Sequence, residues 1–314
     1  MQRAEFISKI KNIINANVTC GIEIYACLKK NKSFEVEKMI AMDQVKDEVK
    51  ALLIGVIEKH YLSDEIEYDE VLNISDNKKA VYVLEQDETY APFSVLDEKV
   101  EKSICFSDDK LDQVMGFVFK FNLNSKKIFA YQNAYSGTKV RANKGLRIIR
   151  NRGEEKFQIF DKNLIKFDER LEFLIIEETI LIRNIKVLQS KFNFDRYIRS
   201  MAEKTLLIIE NLEIVSDINK MKECEGEESL TYAKKLMKIK NSPVLRMDRQ
   251  VLLEKISQIP RYSSIIKIEE GKIKTSTKKD ANALLKMLND DYVKSILTDQ
   301  EYDSPSKIIL EGNI

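Results

Sequence analysis

The sequence predicts an α+β fold, with mainly antiparallel mixed sheets in the N-terminal part and a largely helical C-terminal part. Three observations carry this. Strand-like and helix-like segments come in blocks rather than alternating one by one. Period-two apolar alternation dominates much of residues 1–188, and helical spacing dominates most of 189–314. The 314-residue length suits about two domains at roughly 100–200 residues each. The organisation read from this is a β-rich α+β domain over 1–188, carrying a basic hairpin and loop region at 120–153, and a mainly helical domain over 189–314. An apolar content of 44%, with only nine Gly and four Pro, excludes collagen, low complexity and overall disorder.

The elements follow in order. Phe6, Ile7, Ile10, Ile13 and Ile14 are spaced for a helix over 2–15. Ile22, Ile24, Ala26 and Leu28 alternate as a strand, and Asn31-Lys32-Ser33 turns it into a second one through Phe34, Val36 and Met39. Asp43 is placed to cap a helix running to about Tyr61, with Val45, Val49, Leu52, Leu53, Val56 and Ile57 as its apolar stripe. His60 falls at that helix's end, where the dipole favours a cation, and reads as a surface residue. Ser75-Asp76-Asn77 turns into a strand over 79–85, the segment Tyr90–Leu96 with Pro92 reads as loop or edge, and Ser107-Asp108-Asp109 is placed to cap a short helix. Phe117–Leu123 and Lys127–Asn133 form a hairpin across Asn124-Ser125, and Ser136-Gly137 and Asn151-Arg152-Gly153 are turn signals. Residues 156–187 are β-rich throughout. Helices follow over about 192–214, 227–239 and 248–259, then a hairpin over 264–275 turning at Glu270-Gly271. Thr277 is placed to cap a last helix to about Asn289, and the tail from Tyr302 reads as loop.

Net charge is +1, but it is unevenly distributed. Residues 1–115 hold 15 Lys and Arg against 23 Asp and Glu, and the remainder holds 37 against 28. Nearly all of the basic excess reads as one window. From Lys120 to Gly153 there are nine cations and no acid: Lys120, Lys126, Lys127, Lys139, Arg141, Lys144, Arg147, Arg150 and Arg152. Lys is the default cation of this chain, 40 against 12 Arg, yet four of those Arg fall between 141 and 152. The planar guanidinium grips phosphate in bidentate fashion where Lys offers a point charge. Tyr131, Gln132, Asn133, Tyr135 and Asn143 are interleaved, able to donate to phosphate or stack on bases. The window therefore points to a DNA-binding site. Five or six neutralised phosphates would give a logarithmic salt slope near −5. The bland alternative is a solvated basic face that pairs with the acidic N-terminal third.

Motif chemistry is otherwise sparse. There is no phosphate-cradling GxxxxGK[ST] or GxGxxG loop and no GxSxG elbow. Cys20, Cys27, Cys105 and Cys224 lack CxxC spacing, and with a single His a zinc site is not expected. Three E-x-K matches (Glu48/Lys50, Glu154/Lys156, Glu270/Lys272) and the pairs Glu177-Glu178 and Asp290-Asp291 suit metal-dependent nuclease chemistry. In a chain with 33% charged residues they more often mark solvated edges. The expectation is a non-enzyme without cofactor or metal. The start lacks a secretory h-region, and the longest charge-free runs are 11 residues, well short of the ~20 a membrane span needs. A cytoplasmic location is expected.

Three segments together look familiar: Gly21-Ile-Glu-Ile-Tyr25; the run Leu171–Phe194; and Leu288-Asn-Asp-Asp-Tyr292 with Ser295, Thr298, Tyr302, Ser306 and Lys307. This set resembles the KwaB family of the two-component Kiwa anti-phage defence system. The resemblance implies a cytoplasmic protein that binds phage DNA, forms a homodimer and acts with the multi-span membrane protein KwaA at the inner face of the membrane. It further implies interference with phage DNA replication or late transcription. It brings no catalytic motif, so the basic window remains the candidate site, read from charge alone. Tyr292, Tyr302 and Lys307 are further candidates for exposed functional groups. Two other readings stay open. One is a docking adaptor whose basic face meets a protein or an anionic membrane surface. The other is a cryptic metal-dependent nuclease.

Overall fold

A computed structural model of the chain describes residues 3–15, 21–30, 33–71, 80–85, 96–123, 126–141, 148–149, 156, 158–226, 230–294 and 301–303. The chain divides into two units, Met1–Phe192 and Asn193–Ile314. The first unit contains α1 (Arg3–Asn15), β1 (Gly21–Lys30), β2 (Ser33–Met39) and α2 (Asp43–Ile57), which runs into a π-helical turn at Glu58–Leu62. β3 (Glu67–Glu70), β4 (Ala80–Glu85), α3 (Leu96–Glu101), a 3-10 turn (Asp108–Gln113), β5 (Val114–Leu123) and β6 (Lys126–Asn133) follow. After four two-residue strands, β7 (Lys139–Val140), β8 (Ile148–Ile149), β9 (Gln158–Ile159) and β10 (Leu164–Ile165), come β11 (Phe173–Ile176), β12 (Thr179–Ile182) and α4 (Ile185–Phe192).

Eight strands form one sheet in the order β2-β1-β5-β6-β11-β12-β4-β3, antiparallel except where β3 runs parallel to β4. This is the α+β class expected from the blocks of strand and helix. Strand alternation sorts the residues onto two faces. On one face Ile22, Ile24, Phe117, Phe119, Ile128, Ala130, Leu174 and Leu181 form a core with Phe6 and Ile10 of α1 and Val49, Leu53 and Val56 of α2. On the other, Tyr131 stacks on Phe173 with ring centroids 4.8 Å apart, and Phe192 of α4 meets both rings edge-on. A small cavity beside these rings is also lined by Phe34, Leu96, Val118, Phe129 and Ile175.

Several expected boundaries shift for local reasons. Met42 occupies the N-cap of α2; Asp43 sits in the first turn and pairs with Lys46 at 2.8 Å. The Ser107 hydroxyl donates to Asp109 instead of capping the 3-10 turn. The β-rich reading over 156–187 is too generous. The β12 ladder ends at Ile182 because the carbonyl of Glu172 takes both Arg183 N (2.8 Å) and Asn184 N (3.1 Å), and a helix starts at Ile185. Leu96 begins α3 instead of ending a loop. The expected turns at 75–77, 124–125 and 151–153, and the Pro92 segment, lie outside the described residues.

The second unit contains α5 (Phe194–Asn211), α6 (Asn219–Glu225), α7 (Thr231–Ile239), a 3-10 turn (Pro243–Arg246), α8 (Arg249–Gln258), α9 (Pro260–Ile265), β13 (Ile268–Glu269), β14 (Lys272–Ile273), α10 (Lys278–Leu288), β15 (Tyr292–Lys294) and β16 (Glu301–Asp303). Asn193, in the left-handed region at φ 53°, precedes α5; Asn tolerates that conformation better than most residues. Asp248 caps α8 by accepting from Gln250 N and Val251 N. Thr277 and Asp280 close a capping box on α10. Glu270 and Gly271 both have positive φ, as a two-residue primed turn between β13 and β14 requires. Several elements of this unit went unexpected. α6 follows an Asp217 side chain that accepts from Asn219 N. α9 starts on Pro260, a favoured first helical residue. Tyr302 belongs to β16, opposite Val293, where a loop was expected.

Candidate nucleic-acid interface

The acid-free window begins in the middle of the sheet. β5 and β6 are antiparallel, with Lys120 opposite Phe129 and, on the other side, opposite Glu23 of β1. Its ammonium lies 6.0 Å from the centre of the Phe129 ring, and the residue is only 7% exposed. Lys120 is therefore packed into the sheet against an aromatic face, a poor position for a phosphate ligand. Tyr131 is corrected in the same way, because its fully packed ring leaves no face for a base. Its hydroxyl donates to Met115 O at 3.1 Å and sits over Gly116, where a Cβ would come within 2.2 Å of that oxygen.

Lys126 and Lys127 open β6 beside the hairpin connection. The other cations of the window follow the far end of that strand, after Asn133. Six residues of strand span about 20 Å. Lys139 and Arg141 stand at the opposite end of the β5–β6 pair from Lys126 and Lys127. The chain between β6 and β11 forms an insert. Within it β7 pairs with β10 and β8 with β9, and Lys166 N donates to Thr138 O at 2.7 Å.

Two cations of the window are used to hold this insert. Lys139 Nζ donates to Asp112 O at 3.0 Å and to Val114 O. Arg141 Nη2 donates to Asp109 O at 2.6 Å, and its Nε lies 3.1 Å from Asp112 Oδ2. Both fasten the start of the insert to the 3-10 turn that precedes β5. Lys144, Arg147, Arg150 and Arg152 fall on the stretch between β7 and β10 and lie outside the described residues, as do the side chains of Lys126 and Lys127 and all of Asn143.

The end of the insert is fastened by a polar cluster that charge counting missed. Gln132, 1% exposed, donates through Nε2 to Asp168 O and Arg170 O, both at 2.6 Å, and accepts from Asp168 N at 3.2 Å. The Tyr135 hydroxyl donates to Glu172 Oε1 at 2.9 Å, and Asn184 Nδ2 donates to Glu172 Oε2 at 2.8 Å. The Arg170 guanidinium lies 4.3 Å over the Tyr135 ring. Burial, and then the Glu172 charge, push the Tyr135 hydroxyl above its ordinary pKa. Hydrogen bonds from Lys166 and Arg170 hold the Asp168 carboxyl below the usual range. A signal was available: Gln132, Asn133 and Tyr135 sit in a charge-free run, and polar groups at strand ends are often buried partners.

The other singled-out groups are placed as follows where they are described. Lys9 bonds Glu177 at 3.1 Å, and the Tyr262 hydroxyl donates to Asp290 at 3.3 Å. Glu48 and Lys50 lie on α2, and Glu270 and Lys272 flank the β13–β14 turn. His60 is half-buried in the π-helical turn, not on the open surface; burial, then Arg183 and Lys59, lower its pKa. Cys27 and Cys224 are buried and Cys105 is exposed, all as free thiols. Cys20, Glu154 and Lys307 lie outside the described residues, as do the side chains of Tyr292 and Tyr302. Among the described residues no group of three or more His, Cys, Asp or Glu is placed to hold a metal ion, and no helix is long and apolar enough to cross a membrane.

A family model described as Kiwa protein KwaB-like matches residues 111–298, which include the whole window, the insert and its polar cluster. A curated relative, Kiwa protein KwaB of Escherichia coli O55:H7 (strain RM12579 / EPEC), is 23% identical over 244 residues, or 75% of this chain and 77% of that protein. No solved structure gives a significant match.

Proposed function

The chain belongs to the Kiwa protein KwaB-like family, and from that membership and its basic insert we propose that it binds DNA, largely without sequence preference and without catalysis. It is a Kiwa anti-phage defence component. In this reading it acts as a homodimer with the membrane protein KwaA, from the inner face of the membrane, and blocks phage DNA replication or late transcription. The observation that carries DNA binding is the 34-residue stretch with nine cations and no acid, which lies wholly inside the family match. Lys120, Lys139 and Arg141 have other partners, which leaves Lys126, Lys127, Lys144, Arg147, Arg150 and Arg152 as the proposed phosphate ligands. Six contacts would contribute about −5 to the slope of log affinity against log salt.

The test is anisotropy on labelled duplex DNA over a salt series. Wild type is compared with a variant carrying Lys144, Arg147, Arg150 and Arg152 changed to Glu. Arg141 stays intact because it holds the insert. Steep salt dependence in wild type, with loss of binding in the variant, is the expected result. Equal binding by a folded variant would remove the insert as the site.

A docking adaptor is the second reading, favoured by Ile40, Met42 and Ile104. They are 83%, 75% and 63% exposed, and Ile104 O accepts from Lys38 N at the β2 edge of the sheet. Retention of the membrane partner by a variant with all three changed to Ser would count against it.

A further inference from the structure

The basic excess is not confined to the 120–153 window, because the helical unit carries an equal one. Residues 231–286 hold 14 Lys and Arg against five Asp and Glu, an excess of nine equal to that of the 120–153 window. Acidic stretches on both sides conceal it in the running total. The charge is concentrated most simply on α7. Its sequence, TYAKKLMKI, contains three Lys and no acid. Tyr232, Ala233, Leu236, Met237 and Ile239 are buried. Lys234, Lys235 and Lys238 share the opposite face at spacings of three and four residues, Lys235 exposed and the other two half-buried. None of the three has a carboxylate partner among the described residues.

This arrangement is costly for the helix alone. Like charges at these spacings repel by about 0.2–0.5 kcal/mol per pair, and one Glu on the outer face would have relieved it. Elsewhere in the same unit cations are paired: Arg199 with Glu225, Lys222 with Glu210 and Lys274 with Glu269. We propose that the outer face of α7 is a second contact surface for the phosphate backbone of DNA, with Lys234, Lys235 and Lys238 as its ligands. This rests on the DNA-binding reading above. Lys234 and Lys238 stand about 6 Å apart along the helix axis, so their flexible stems reach neighbouring phosphates. Compact ammonium groups without an interleaved Asn, Gln or aromatic residue contact the backbone and carry no base readout. A bilayer is the weaker fit, because the apolar face of α7 is spent in the core of its own unit and nothing beside the lysines can insert.

The experiment uses the full chain with Lys234, Lys235 and Lys238 changed to Gln. The control neutralises Lys29, Lys46 and Lys59, removing equal charge from the acidic stretch 1–115. Circular dichroism checks both folds, and removal of like-charge repulsion leaves α7 at least as stable. The expected result is a salt slope shallower by about 2.7 and an affinity lower by about tenfold or more at low salt in the α7 variant alone. Wild-type affinity and slope in the α7 variant would overturn the proposal and leave the insert reading intact. Equal losses in variant and control would overturn it as a net-charge effect. DNA affinity retained, with loss of flotation on phosphatidylserine vesicles, would overturn it in favour of a lipid surface. Absence of DNA binding by wild type itself would remove both readings.

Discussion

Replacing Gln132 by Leu tests how the insert is tied to the sheet. Leu has nearly the same volume, so packing around β6 changes little. The amide, however, makes three hydrogen bonds to the backbone of 168 and 170, at 2.6, 2.6 and 3.2 Å, from a site that is 1% exposed. Removing it leaves Asp168 N–H, Asp168 O and Arg170 O without that partner. Each net hydrogen bond is worth about 1 kcal/mol, and a buried polar group left unpaired costs about 1–3 kcal/mol. Part of that is recovered if the chain at 168–170 moves out to water. The expected loss is about 3–5 kcal/mol by urea unfolding. Gln132→Glu should cost a similar amount, because a carboxylate would face two carbonyl oxygens. Native-state hydrogen exchange should show 158–170 opening before β5 and β6 in both variants. A Gln132→Leu protein within 1 kcal/mol of wild type, with unchanged exchange in 158–170, would refute the clasp.

Other outcomes follow from the same geometry. Gly116→Ala should cost about 2–4 kcal/mol, since the new Cβ meets the Tyr131 hydroxyl at 2.2 Å and Gln132 O at 2.7 Å; the penalty should shrink in a Tyr131→Leu background, checked by a double-mutant cycle. His60 has a lowered pKa, so the unfolded chain takes up its proton first as pH falls. Its contribution to stability is full above the unfolded value near 6.5 and is lost as pH drops through the folded one. His60→Gln should flatten the melting temperature against pH below about 6.5, and an unchanged profile would exclude this. Lys120→Met should leave DNA affinity within about twofold of wild type, because the ammonium lies inside the sheet. Arg141→Gln should lose about 1–2 kcal/mol of stability, mainly the bond to Asp109 O since the ion pair is half-open to water, and change DNA affinity less than threefold.

The main elements were legible because one face of each is buried. The alternation of Ile22, Ile24, Ala26 and Leu28 marks β1, and the stripe Val49, Leu53 and Val56 marks α2. Caps were legible where a side chain meets the backbone, as at Asp248 and Thr277, and misread at Asp43 and Ser107, whose oxygens meet other side chains. Short elements such as α6 and the two-residue ladders of the insert carry too few apolar positions to show a period. The window was legible as a count of charge but not as a surface. Spacing along a sequence cannot say that Lys120 faces Glu23 across the sheet, or that Lys139 and Arg141 are consumed by carbonyls 25–32 residues away.

That difference between charge counted and charge available gives the salt series its discriminating power. Each phosphate contact removed should reduce the slope by about 0.9, whatever its effect on stability, as long as the variant folds. Nine window cations acting as ligands would mean that neutralising Lys120, Lys139 and Arg141 together lowers the slope by about 2.7. The structure assigns those three to Phe129, to the carbonyls of 112 and 114, and to Asp112, so the same triple change should leave the slope alone while costing stability. Neutralising the three α7 lysines should do the opposite. Two triple variants, equal in charge removed, would therefore exchange their effects on slope and on melting temperature. If both changed the slope equally, charge would be acting through the net field of the protein, and neither the insert nor α7 could be called a site.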